Sequence, residues 1–267
     1  MVLSVNAPPG AHELSPTFIT APAPHNGTSL LQRLICTSEE GICYGDNLAD
    51  EILSLVDWAM AMIQRHQEYT DQEADVLAKA LDRTPNKWMP ELAPAFDPYM
   101  SALFSVLYNL PQAAADFAKT EGREQWSVSK PGIPAQRASE LLSLFPKARV
   151  IFIHRNPLSA FRDHLRDAPG ANIEEFGKTW NTHCRDYLAL SSDRVLKLRY
   201  EDAVESPEAF IQGLEAFTGC TISLPDDVQD KNEAESTTNT QITAEQKGLL
   251  QAYCSDMLSV YYPSLVA

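Results

Sequence analysis

A short apolar run that breaks into a loop of proline, asparagine and glycine, then resumes at once as a helical pattern, leaves few folds open to a chain. Thr17-Phe-Ile-Thr-Ala-Pro-Ala-Pro-His-Asn-Gly-Thr-Ser-Leu-Leu31 is such a run. Its β-branched and aromatic start reads as a strand over Thr17–Ala21, and Ser29–Thr37 reads as the helix behind the loop. Far downstream, Phe145-Pro-Lys-Ala-Arg-Val-Ile-Phe-Ile-His-Arg-Asn-Pro157 gives a buried strand over Val150–His154, ending on Arg155 and a breaker. In an open α/β sheet, ligands sit outside the carboxyl ends of the strands. Both segments put their polar residues there, so they read as two halves of one anion-binding site.

The rest of the chain alternates in the same way. Trp126–Ser129 and Val195–Arg199 are further strands. Helical spacing runs over Asp46–His66, Asp71–Leu81, Pro98–Lys119, Ile133–Leu144, Leu158–Arg166, Ile173–Leu190, Pro207–Thr218 and Thr243–Val260. Pro207 suits a first helical turn, and Thr243 an N-cap with Glu245 and Gln246 behind it. Thr84–Pro98 holds four prolines and reads as an irregular, lid-like stretch. Residues 1–15 read as a flexible arm, and Ser223–Thr240 as polar and mobile. Strands alternating with helices imply a parallel sheet with right-handed crossovers. The expectation is an α/β three-layer sandwich, P-loop-like, in one domain over 1–267, with a helical insert at 46–120.

At 44% hydrophobic and 21% charged, the 267 residues are ordinary globular protein with enough apolar side chains for a sizeable core. A net charge of −15 argues against a nucleic-acid partner and an anionic membrane surface, and mildly favours a neutral or cationic small-molecule substrate. Five cysteines, Cys36, Cys43, Cys184, Cys220 and Cys254, form no CxxC pair and suit reduced thiols. The first residues carry neither a basic n-region nor an apolar h-region. No apolar stretch reaches membrane-spanning length. A cytoplasmic protein is the default expectation.

A glycine-bearing loop before a helix presents free backbone N–H groups to an anion, and the helix dipole helps hold it. Gly27 permits close approach, while Thr28 and Ser29 add hydroxyls. The pattern is not GxxxxGK[ST], because Thr28 takes the lysine position. Arg155 has a fork suited to phosphate. Arg162 and Arg166 follow one turn apart on one helix face, although Asp163 and Asp167 beside them allow a plain salt-bridged helix.

The blocks PAPHNGTSLLQRLI, SKPGIP, LFPKARVIFIHRNPLSAF and VLKLRYEDAVESPEAFIQGLEAFTG resemble, in this order and spacing, the sulfotransferases that use 3′-phosphoadenosine 5′-phosphosulfate (PAPS). The resemblance covers about residues 17 to 219 and looks closest to the bacterial and protein-tyrosine branch. It implies that Pro24, His25, Asn26, Gly27, Thr28 and Ser29 hold the 5′-phosphosulfate end. Arg155 would hold the 3′-phosphate, with Arg166 nearby, and Tyr200 would lie by the nucleotide. Lys130, in a Lys-Pro where the family has Lys-x-Pro, would sit by the transferring group. The acceptor's base in the protein-tyrosine branch is a glutamate of a Gly-Glu pair. Gly45-Asp46 stands at that place, so Asp46 becomes the candidate, with His25, His154, His164 and His183 as runners-up.

Two positions depart from the family. His25 stands where Arg or Lys is usual; a neutral imidazole stabilises a phosphate less, and the site itself is expected to raise its pKa. Asp163 stands where a serine bonds the 3′-phosphate; it must turn away, be protonated or be bridged by Arg162 or Arg166. The implied activity is metal-independent sulfuryl transfer to a hydroxyl or amine of a small acceptor, leaving 3′,5′-adenosine bisphosphate (PAP). Tyr99 and Phe104, with Trp88, Met89 and Phe96, are candidates for the acceptor pocket or simple helix core. Two other readings stay open: a degenerate fold that binds a nucleotide or partner without turnover, and a P-loop kinase-like phosphotransferase.

Overall fold

The computed structural model describes residues 13–83, 92, 94–223 and 242–265. Five strands form its centre: β1 (Thr17–Thr20), β2 (Gly41–Tyr44), β3 (Gln125–Ser129), β4 (Arg149–His154) and β5 (Val195–Arg199). Every pairing is parallel, and the spatial order is β2-β3-β1-β4-β5. β1 therefore lies between strands reached by crossovers to opposite sides, with β3 on one flank and β4 on the other. Such a switch point opens a crevice at the carboxyl edge of the sheet.

Both faces of the central strands are apolar because both are covered. Phe18, Val128, Val150 and Phe152 face one core, and Ile19, Ile151 and Ile153 the other. The first core is closed by α2 (Asp46–Leu81), α3 (Phe96–Thr120), α4 (Ala135–Leu144), α5 (Pro157–Asp167), α6 (Ile173–Ala189), α9 (Ala244–Tyr253) and α10 (Ser255–Tyr261). The second is closed by α1 (Thr28–Thr37) and α8 (Pro207–Thr218), with the single turn α7 (Asp202–Glu205) beside them. Leu31 and Leu34 of α1 are fully buried, each contributing about 2–3 kcal/mol. The α/β sandwich stands as the sequence implies.

Some elements differ from expectation. Asp46–His66 and Asp71–Leu81 fuse into one helix of 36 residues, about 54 Å long, since neither glycine nor proline interrupts it. α2 packs along α3, with Ile52, Val56, Ala59 and Ile63 in the same core as Met100, Phe104 and Leu107. The C-terminal helix breaks at Cys254 into α9 and α10, while Thr243 and Gln246 form the expected capping box. β2 is a strand that the sequence did not announce. Trp88 and Met89, residues 84–91 of the lid-like stretch, residues 224–240 of the polar stretch and residues 1–12 of the arm lie outside the described residues. Leu14, near the arm's end, is buried, and the Pro16 carbonyl accepts from the Arg149 N–H. Among the described residues no helix is long and apolar enough to cross a membrane.

Candidate functional site

A cavity of about 500 Å³ opens at the carboxyl edge of the sheet. Its wall comes from the loop after β1 (Pro24, His25, Gly27), from α1 (Thr28, Ser29, Leu30, Arg33) and from Asp46 and Pro131. Arg155, Asp163, Arg166 and Tyr200 complete it. The chain order β1, β3, β4, β5 delivers these groups to one edge because all the strands run the same way.

The loop is held from within. Asn26 is wholly buried. Its Nδ2 donates to the carbonyls of Ala23 at 3.0 Å and Pro24 at 3.1 Å. Its Oδ1 accepts from the Arg155 backbone N–H at 3.1 Å and from Trp180 Nε1 at 3.2 Å. Asn26 thus uses its side chain to tie loop, β4 and α6 together, and that side chain is not part of the cavity wall. Gly27 has φ +113°, and a Cβ there would meet Ile153 Cδ1 at 2.8 Å and Tyr200 Cδ2 at 2.9 Å. Only glycine permits both the angle and the contact. His25 itself adopts φ 64°, an uncommon left-handed conformation for a side-chain-bearing residue.

α1 begins directly on this loop with Gly27 as its N-cap, and no side chain among the described residues caps it. Its first turn carries no acid. The first-turn N–H groups have no intrahelical acceptor, and with the dipole they favour an anion at the mouth of the loop.

Across the cavity Arg155 is only 7% exposed. Its guanidinium carbon lies 4.5 Å from the centroid of the Tyr200 ring. Its Nη1 donates to Asp163 Oδ2 at 2.7 Å and to the His25 carbonyl at 3.4 Å. Of the outcomes open to Asp163 (turned away, protonated, or bridged by Arg162 or Arg166), the structure shows a bridged carboxylate. It is bridged first by Arg155 itself, and its Oδ1 lies 3.4 Å from Arg162 Nε. Arg166 pairs instead with Asp167, at 3.2 Å.

His25 Nε2 lies 3.4 Å from Asp167 Oδ2. Burial nevertheless outweighs that carboxylate and holds the imidazole below its ordinary pKa. The expectation that the site raises the His25 pKa is thus corrected: burial lowers it. Asp46 is exposed at the first position of α2 and lines the cavity. Lys130 leaves β3 with its neighbour Pro131 on the cavity wall, and its Nζ is 2.8 Å from Asp50 Oδ1. The segment is stapled to β1 by Lys130 N–H to Ile19 O at 2.9 Å and Ile133 N–H to Thr20 Oγ1 at 3.0 Å.

Phe104 belongs to the core, stacked on Tyr108, rather than to this cavity. His154 is buried under Tyr262, whose oxygen lies 3.1 Å from His154 Nδ1. The Tyr262 hydroxyl donates to Glu201 Oε2 at 2.9 Å, so the Nδ1–H of the imidazole is the donor to Tyr262. Glu201 Oε1 accepts from the Asn156 N–H at 2.8 Å. Burial and the facing Glu201 carboxylate push the Tyr262 phenol well up. Burial drives His154 down to about 3. Neither Trp180 nor Tyr262 stood out in the sequence; each acts on a segment more than a hundred residues away.

The sequence model of the sulfotransferase family matches residues 16–224. Similar solved structures include the sulfotransferase domain of the Synechococcus PCC 7002 olefin synthase. It is 15% identical, covering 90% of this chain and 94% of that one, with a TM-score of 0.47. Sulfotransferase STF9 from Mycobacterium avium is 13% identical, covering 96% and 79%, also at 0.47. The sulfotransferase domain from the curacin biosynthetic pathway is 14% identical, covering 91% and 97%, at 0.49. No curated protein matches.

Proposed function

Because the chain belongs to the sulfotransferase family, we propose that it moves a sulfuryl group from PAPS to a hydroxyl or amine of a small acceptor. The observation that carries this reading is the pairing of two anion-receiving features in one cavity. The uncapped first turn of α1 lies on one side and the buried Arg155 stacked on Tyr200 on the other. A ligand with two separated anionic groups fits that pairing.

In this reading the S–O bond to the donor's 5′-phosphate breaks while a bond from sulfur to the acceptor oxygen or nitrogen forms. The acceptor's proton leaves, and the nucleotide departs as PAP. The α1 N–H groups, Thr28 and Ser29 receive charge gathering on the leaving phosphate. Fixed donors of this kind are each worth about 3 kcal/mol. Lys130, at the end of β3, is the cation for the sulfuryl oxygens. Asp46, exposed on the cavity wall, takes the acceptor proton. The four buried free thiols, Cys43, Cys184, Cys220 and Cys254, suit a reducing compartment, so we place the reaction in the cytoplasm.

The test is a thermal shift with PAP beside ATP and magnesium, followed by transfer of labelled sulfuryl from PAPS to a panel of hydroxyl and amine acceptors. Stabilisation by PAP and labelled product support the reading. A second reading, binding without turnover, is favoured by the Arg155–Asp163 pair; stabilisation by PAP with no product from any acceptor class selects it. Stabilisation by magnesium–ATP alone points to phosphoryl transfer.

A further inference from the structure

The cavity wall contains a buried cation and, in contact with it, a buried anion. Arg155 and Asp163 are 7% and 6% exposed, and both line the cavity. Arg155 is fixed on its other sides by the Tyr200 ring, by the His25 carbonyl and, through its backbone N–H, by Asn26. Asp163 is less committed. Its second oxygen already faces Arg162 Nε at 3.4 Å, and the Arg162 side chain is 31% exposed. A buried charge left unpaired is costly, so in the free protein the carboxylate completes the pairing of Arg155. A phosphate that reaches Arg155 meets that carboxylate as a like charge. A phosphate that takes the Nη1 donor now held by Asp163 Oδ2 must displace that carboxylate.

We propose that Asp163 is a resident anion on Arg155, displaced by a phosphate of the nucleotide and passed to Arg162, so that Asp163 sets how much a second phosphate contributes to affinity. This rests on the reading of the cavity as a nucleotide site. The consequence is a site that grips loosely by construction. A ribose hydroxyl does not displace a carboxylate from a guanidinium, whereas a phosphate dianion with three oxygens does so at the expense of the existing pair. The product bisphosphate then leaves readily, because Asp163 is at hand to retake Arg155.

The experiment is calorimetric titration of adenosine 5′-monophosphate and PAP into the wild-type chain, Asp163→Ser and Arg162→Ala. In the wild type the two ligands should differ by less than about fivefold. In Asp163→Ser the advantage of PAP should grow by about tenfold or more, equivalent to about 1.4 kcal/mol, with the monophosphate changed by less than about threefold. Arg162→Ala should weaken PAP and spare the monophosphate. The same preference for PAP in wild type and Asp163→Ser overturns the displacement, and unchanged PAP affinity in Arg162→Ala overturns the hand-over. If Asp163→Ser does not fold, the near-isosteric Asp163→Asn carries the same comparison. If no protein binds either nucleotide, the nucleotide reading itself fails and the inference with it.

Discussion

The Asn26 side-chain oxygen accepts the backbone N–H of Arg155 at 3.1 Å. Through that bond the loop after β1 and the end of β4 hold one geometry, although they are far apart in the chain. The same oxygen takes Trp180 Nε1, and the amide nitrogen takes two loop carbonyls. A residue whose side chain is absent from the cavity wall therefore sets the shape of that wall.

Asn26→Ala should lose about 2–4 kcal/mol, since it strands buried donors and acceptors on three segments. Asn26→Asp keeps the acceptor but turns a donor into a second acceptor against the Ala23 and Pro24 carbonyls. Denaturant titration together with PAP affinity checks both. Wild-type PAP affinity in Asn26→Asp would remove Asn26 from its positioning role.

Gly27→Ala combines a φ of +113° with a Cβ 2.8 Å from Ile153 and 2.9 Å from Tyr200. A side chain in the left-handed region costs about 1–2 kcal/mol, and the contacts add to it. The variant should melt several degrees lower and lose donor binding, because Tyr200 must shift and Arg155 is stacked on it. A thermal melt with and without PAP measures both effects.

Lys130→Ala should abolish sulfuryl transfer and leave PAP affinity within about threefold, because an interaction made in the transition state appears in kcat rather than in binding. Asp50→Asn frees Lys130 from its partner at 2.8 Å and should keep the fold and measurable transfer. Steady-state kinetics on both variants decide the point. Full activity in Lys130→Ala takes that lysine out of the chemistry.

His154 gives the pH dependence. Its pKa is pushed from 6.5 down to about 3 by burial, with Arg199 adding to the effect. The unfolded chain binds this proton below about 6.5 while the folded chain resists it down to about 3. Stability should therefore be full above 6.5 and fall as pH drops through that window, by a few kcal/mol at about pH 4. His154→Gln removes the titration. Urea midpoints between pH 4.5 and 7.5 should slope more steeply for the wild type; equal slopes would show that His154 does not govern acid sensitivity.

The sandwich and the two halves of the cavity were legible because each rests on a local pattern. A strand, a glycine loop and a helix make one half. A buried strand ending in Arg155 makes the other. β2 escaped because four residues between polar turns carry too little alternation to stand out. The break at Cys254 escaped because the apolar spacing runs through it without a glycine or proline. Asp163 was visible as a departure, with Arg162 as a candidate partner, but its pairing with Arg155 was not. Which arginine it meets depends on the angle between α5 and β4, and spacing along one helix nominates only its own neighbours. Trp180 and Tyr262 had no local signal. Trp180 is an aromatic on the buried face of α6 and Tyr262 one just past the end of α10, and the polar tip of each becomes meaningful only once a distant segment lies against it.

That dependence has a consequence for how the molecule comes into being. The loop at residues 24–27 leaves a ribosome before the groups that fix Asn26, which lie 129 and 154 residues further along. The nascent segment can form its helix and still not hold the loop. Closing contacts over such separations is slow relative to local helix formation. The geometry of the loop is thus acquired only when α6 docks.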